Sequence, residues 1–135
     1  MSAAEALNAP NENAVASPAF ALVGLPVREG RLSLGHQREA LGPGACDTVA
    51  VVAGFQTAAW VGRPEWSPPN LGRLRWHATS SLDNRGRVSL DRRARAYLAV
   101  PDPAAFDVVV LRSPGGGLLL VPTDGFEARL AAVAS

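Results

Sequence analysis

A five-residue phrase occurs twice in this chain, and the repetition constrains the fold more than any other feature. Gly30-Arg31-Leu32-Ser33-Leu34 matches Gly86-Arg87-Val88-Ser89-Leu90 at an offset of 56 residues. Arg38 and Leu41 match Arg95 and Leu98 once a one-residue gap is allowed. Asp47, Val49 and Val61 match Asp107, Val109 and Val121 at an offset of 60, which places Trp66 on Phe126. The gaps fall in turns and loops, where insertions are tolerated. An internal duplication follows, with copies over 20–66 and 74–122 and a Pro/Gly linker at 67–73. Residues 1–19 are small, polar and aperiodic and read as a disordered tail. Residues 123–135 read as a C-terminal helix with Phe126, Leu130 and Val133 on one side.

Both copies have the same local pattern. A first strand (Phe20–Val27; Arg75–Leu82) leads to a tight turn ending in Gly30 or Gly86, then to a short strand (Arg31–Leu34; Arg87–Leu90). A short helix follows (His36–Leu41; Arg92–Leu98), then two β-rich runs, joined in the second copy by the hairpin signal Ser113-Pro114-Gly115-Gly116-Gly117. Asp91 is placed to cap the second helix, with Ala94, Tyr97 and Leu98 as its buried stripe. A ββαββ unit of ~45 residues cannot close a core alone, but two can pair their faces. The expected fold is mainly β with short helices, two repeats forming one small barrel.

Composition narrows the function. No apolar run reaches the ~18 residues of a membrane span, and no basic, then apolar, leader opens the chain, so a cytoplasmic protein is expected. A single cysteine, Cys46, excludes an internal disulfide. His36 and His77 do not stand at metal-ligand spacing, Cys46 has no evident base, and Gly115–Gly117 joins strands where a phosphate loop would open a helix. The reading is a non-enzymatic chain without metal or cofactor.

Net charge is only +1, yet Leu71–Val100 holds seven arginines against Asp83 and Asp91. Clustered planar, permanently charged forks are the usual footprint of phosphate recognition. Asp83-Asn84-Arg85-Gly86-Arg87 is a turn by composition, leaving Arg85 and Arg87 at its tip. Arg92, Arg93 and Arg95 open a helix against its dipole, an arrangement favoured where the helix start faces an anion. The competing structural role is that Arg87 or Arg95 pairs with Asp83 or another carboxylate and braces the turn. Trp60, Trp66 and Trp76 read as core or interface aromatics, Trp76 having a place at a DNA face as its alternative.

The pattern from Asp83 through Gly86-Arg87-Val88-Ser89-Leu90, followed after four residues by Arg95-x-x-Leu98, resembles the AbrB/MazE-type swapped-hairpin DNA-binding superfamily. The tandem arrangement, with Pro64-Glu65-Trp66 ending the first copy, resembles its two-copy MraZ-like members, and Asp83 through Arg87 fits their D-x-x-x-R signature. The likeness covers Phe20 to Phe126. The first copy departs from it: Val27 stands in the aspartate's place, Glu29 opposite Arg85, and the helix is one residue short. The superfamily's proline after the short strand is replaced by Gly35 and Asp91. The resemblance implies a swapped-hairpin barrel that binds duplex DNA as a nucleoid-associated transcriptional regulator and assembles into homo-oligomers. It places Arg87 and Arg95 in the major groove, with Arg31 and Arg38 as their first-copy counterparts. Charge clustering adds Arg75, Arg85, Arg92 and Arg93 as phosphate anchors. Glu29 and Glu39 lead us to expect most phosphate contacts from the second copy. The alternative is a protein-interaction module, antitoxin-like or adaptor, with decayed DNA binding and a partner docked on the C-terminal helix.

Overall fold

The structure is a computed structural model that describes residues 24–42, 48–83 and 85–134. The expected tail at 1–19 lies outside these residues, as do Phe20, Cys46, Asp47 and Asn84. The repeated phrase forms the two shortest strands, β2 (Arg31–Ser33) and β6 (Arg87–Ser89), in which a buried Leu32 or Val88 stands between polar neighbours. Around them run β1 (Leu25–Arg28), β3 (Thr48–Gly54), β4 (Ala59–Gly62), β5 (Arg75–Ser81), β7 (Ala105–Arg112) and β8 (Leu118–Pro122).

All eight strands belong to one antiparallel sheet in the order β5-β3-β4-β8-β7-β1-β2-β6. The sheet curls until its two edges nearly meet: Leu82 bridges Val88, and the Ser80 hydroxyl donates to the Ser89 carbonyl at 2.6 Å. Hairpins from the two halves of the sequence alternate around the sheet, so that four of the pairings join one half to the other. β3 pairs with β5, Thr48 opposite Ser81; β7 pairs with β1, Val108 opposite Leu25. β2 pairs with β6, Leu32 opposite Val88, and β4 with β8, Trp60 opposite Leu119.

Two apolar layers result. The barrel interior holds Val27, Leu32, Val49, Val51, Val61, Val88, Val108, Val110, Leu118 and Leu120. The outer face of β3, β4, β7 and β8 is also covered, by Trp66, by Leu71 from the linker and by Phe126, Leu130 and Val133 from the C-terminal helix. These strands therefore read as continuous apolar runs such as Val-Ala-Val-Val and Leu-Leu-Leu-Val instead of alternating. Trp76 belongs to the inward face of β5, half-buried against the barrel core.

The helices show how sequence detail sets local form. Helix α1 (Arg92–Leu98) has the expected bounds, and the Asp91 carboxylate accepts from the Arg93 N–H at 2.7 Å. Its counterpart over Gly35–Leu41 is a 3-10 helix. Leu34 offers no capping oxygen there, and Gly35 sits at φ 56° in the place that Asp91 takes before α1. Helix α2 (Phe126–Ala134) begins three residues beyond the expected Thr123. Among the described residues, no helix is long and apolar enough to cross a membrane.

Candidate nucleic-acid interface

Strand register decides which arginines share a surface. Leu32 and Val88 face the core directly opposite one another, so their neighbours Arg31, Ser33, Arg87 and Ser89 all point outward from the β2–β6 ribbon. Because the ribbon is antiparallel, the turns that precede its two strands lie at opposite ends. The Leu90 N–H donates to the Gly30 carbonyl at 2.6 Å at one end, and the Leu34 N–H to the Gly86 carbonyl at 2.9 Å at the other. Each end is thus built from one half's turn and the other half's helix start.

At the first end, Arg31, Arg92 and Arg93 are exposed beside the Glu29-Gly30 turn. Both turn residues have positive φ, 54° and 80°, the geometry of a two-residue hairpin that matches strand twist. Arg95 is half-buried here: its Nε donates to the Leu90 carbonyl and its Nη1 to the Pro103 carbonyl, both at 3.1 Å. Its guanidinium also packs over Gly30, where an added Cβ would lie 3.3 Å away. Arg95 braces the turn.

At the second end, Arg85 is exposed and Arg38 lies over Gly86, its Cδ 3.2 Å from where a Cβ would stand. Arg87 Nε donates to Asp83 Oδ2 at 2.7 Å. Asp83 Oδ1 accepts the Arg85 and Arg87 backbone N–H groups, both at 2.9 Å. These bonds, the Arg87 backbone donor foremost and then its side chain, hold the carboxyl down at a pKa of about 2. Since the native pKa lies below the unfolded one, the stabilisation is complete above pH ~4 and is lost as pH falls through ~2. Asp83→Ala is therefore expected to be less stable than the parent at pH 6, with the gap closing by pH 2 in denaturant titrations. A gap independent of pH would contradict this.

Of the eight arginines singled out by sequence, Arg31, Arg38, Arg85, Arg87, Arg92, Arg93 and Arg95 gather around this ribbon. Arg75 does not. It opens β5, six residues from Ser81, about 20 Å along the strand. The acidic residues Glu29 and Glu39 are exposed at the two ends, one at each. Because strands interleave, the second half's arginines are divided between both ends, with Arg31 and Arg38 added from the first half.

The residue that sequence reasoning missed is Arg129. It is 7% exposed and donates to the carbonyls of Asp124 (2.6 Å), Thr57 (3.1 Å), Leu98 (2.6 Å) and Ala99 (3.4 Å). Burial lowers its pKa, opposed by Asp124. The signal was present: Arg129 falls on the same face of α2 as Phe126, Leu130 and Val133. Among the described residues, no group of three His, Cys, Asp or Glu side chains is placed to hold a metal.

Comparison of the chain with family models, curated proteins and solved structures returns no match.

Proposed function

We propose that this protein is a duplex-DNA-binding transcriptional regulator that presents the outer face of the β2–β6 ribbon to the groove. The observation that carries the reading is the gathering of Arg31, Arg85, Arg87, Arg92 and Arg93 around that face from distant parts of the sequence. The two turns are separated along β6 by the four residue steps from Gly86 to Leu90, about 13 Å. That is close to the ~12 Å width of the major groove, which admits a two-stranded ribbon. Arg87 is assigned to base edges and Arg31, Arg85, Arg92 and Arg93 to phosphates, with Arg38 and Arg95 bracing the turns.

The strand registers support the tandem, swapped-hairpin part of this reading. Advancing Leu25 by 56 and setting Val108 back by 60 converts their pair into Ser81–Thr48, which is also a pair in the sheet. The same offset carries Arg31–Ser89 onto Arg87–Ser33. A homo-oligomer that joins several such faces belongs to the same proposal.

Arg92→Ala/Arg93→Ala removes two exposed charges without touching the Asp91 cap. Its binding to random duplex is expected to show a salt dependence shallower by about two log-log units than the parent's. An unchanged slope would remove these residues from the interface. The second reading, a protein-interaction module, has one observation in its favour. Phe55 and Leu74 are 45% and 60% exposed, and both line an open cavity of about 450 Å³ with Leu71 and Arg73. The C-terminal helix does not serve that reading through Phe126, Leu130 and Val133, which pack on the barrel's outer face.

A further inference from the structure

Arg87 holds a combination of contacts that a phosphate anchor does not need. Its Nε is engaged by Asp83 at 2.7 Å, and its Nη groups take no other partner among the described residues. The two outer nitrogens of the fork are thereby left to a ligand while the inner one is fixed. The same carboxylate also fixes the Arg85 and Arg87 backbone, so the turn and the guanidinium are held as one unit. Val88, buried next along the strand, anchors the base of the Arg87 side chain.

An arginine can also meet a phosphate through both arms of its fork, but the phosphate presents oxygens in several directions and accepts the fork over a range of approaches. An arginine that reads guanine must bring its planar fork onto two acceptors at once, so its plane and direction matter. We propose that Asp83 is a positioning residue for sequence discrimination, holding the Arg87 fork in the orientation that meets a base edge. This rests on the DNA-binding reading above and adds to it which residue supplies specificity and how. It also separates the arginines by task. Arg85, Arg92 and Arg93, exposed and without a carboxylate partner for the side chain among the described residues, contribute affinity that does not depend on sequence.

Electrostatics makes the proposal sharply testable, because Asp83 is itself an anion. Removing its charge favours approach to any duplex, whereas loss of orientation weakens only the preferred one. The probes are the duplex enriched from a random-sequence library by the unmodified protein and the unselected random duplex. Asp83→Asn keeps an oxygen for the two backbone N–H groups and loses the charged partner of Arg87. The ratio of affinities for enriched over random duplex is expected to fall about tenfold, while affinity for random duplex stays equal or rises. Arg87→Lys keeps the charge and leaves the Asp83 bonds to the backbone intact. It is expected to lose discrimination to a similar degree, which guards against a turn that fails to form in the first variant. A discrimination ratio unchanged in both variants would overturn the proposal, as would an equal loss of affinity for both duplexes. Failure of the unmodified protein to bind either duplex would instead overturn the DNA reading, and this inference with it.

Discussion

Trp60→Ala is expected to lower the unfolding free energy by about 4 kcal/mol, the largest effect of any single substitution considered for this protein. Trp60 is fully buried between the outer face of the sheet and the linker, packed with Val52, Leu71, Val109, Leu111 and Leu119. Its slot is shaped by glycines: a Cβ on Gly62 would overlap the indole, and one on Gly117 would lie 2.6 Å from Nε1. That nitrogen donates to the Gly116 carbonyl at 3.0 Å, which ties β4 to the β7–β8 turn. Alanine would leave a cavity walled by strands that cannot close on it, together with an unpaired carbonyl. For a chain of this size the melting midpoint should fall by about 15 °C. Urea unfolding measures the effect directly, and a loss below about 1.5 kcal/mol would show that the linker collapses into the space.

Arg129→Met is expected to cost about 3 kcal/mol. Methionine fills much of the same volume, so packing is largely kept and the loss isolates the hydrogen bonds. Thr57 and Leu98 carbonyls accept Arg129 Nη1 in buried surroundings, and each bond to a charged donor contributes about 1.5 kcal/mol or more. Leu98 and Ala99 supply two of the carbonyls that the end of α1 leaves without helical partners, and the guanidinium also favours that end of the helix dipole. The desolvation of the cation offsets part of this, which is why the sum is held near 3 and not above it. Three elements meet at this side chain: α2, the β3–β4 turn and the C-terminus of α1. Stability equal to the parent's in urea titrations of Arg129→Met would refute that role.

Much of the local structure was legible in the sequence because it rests on neighbours in the chain. The bounds of α1 follow from the Asp91 cap and the Ala94–Leu98 stripe, and the 113–117 turn follows from its Pro and Gly residues. The 3-10 helix was not foreseen. Its departure from α-helix goes with Leu34 and Gly35, which supply no cap to the first turn. The nearly closed sheet agrees with the expectation of a mainly β fold forming one small barrel, yet strand order could not be read from periodicity. Alternation of side chains tells which face a residue joins and not which strand lies beside it.

That gap matters most at the site. Sequence grouped the arginines by position in the chain and expected most phosphate contacts from the second copy, with Arg31 and Arg38 as counterparts from the first. What it could not supply is their grouping in space: the β2–β6 pairing sets Arg31 with Arg92 and Arg93, and Arg38 with Arg85 and Arg87. Bracing by Arg95 stood in the sequence as the alternative to base contact, but through a carboxylate; its carbonyl partner at Pro103 lies in a loop whose path depends on the whole barrel. For Arg129 the helix face marked its burial, but its acceptors are backbone carbonyls, which leave no mark in the sequence.

The central claim is that an arginine face assembled from both halves of the chain binds duplex DNA. Fluorescence-anisotropy titration of the full chain onto random duplex, repeated at several salt concentrations, tests it most directly. With Arg31, Arg85, Arg92 and Arg93 on phosphates, binding is expected to weaken with salt with a log-log slope of about −4. No binding at low salt, or binding indifferent to salt, would contradict the claim and leave these arginines to the fold or to a protein partner.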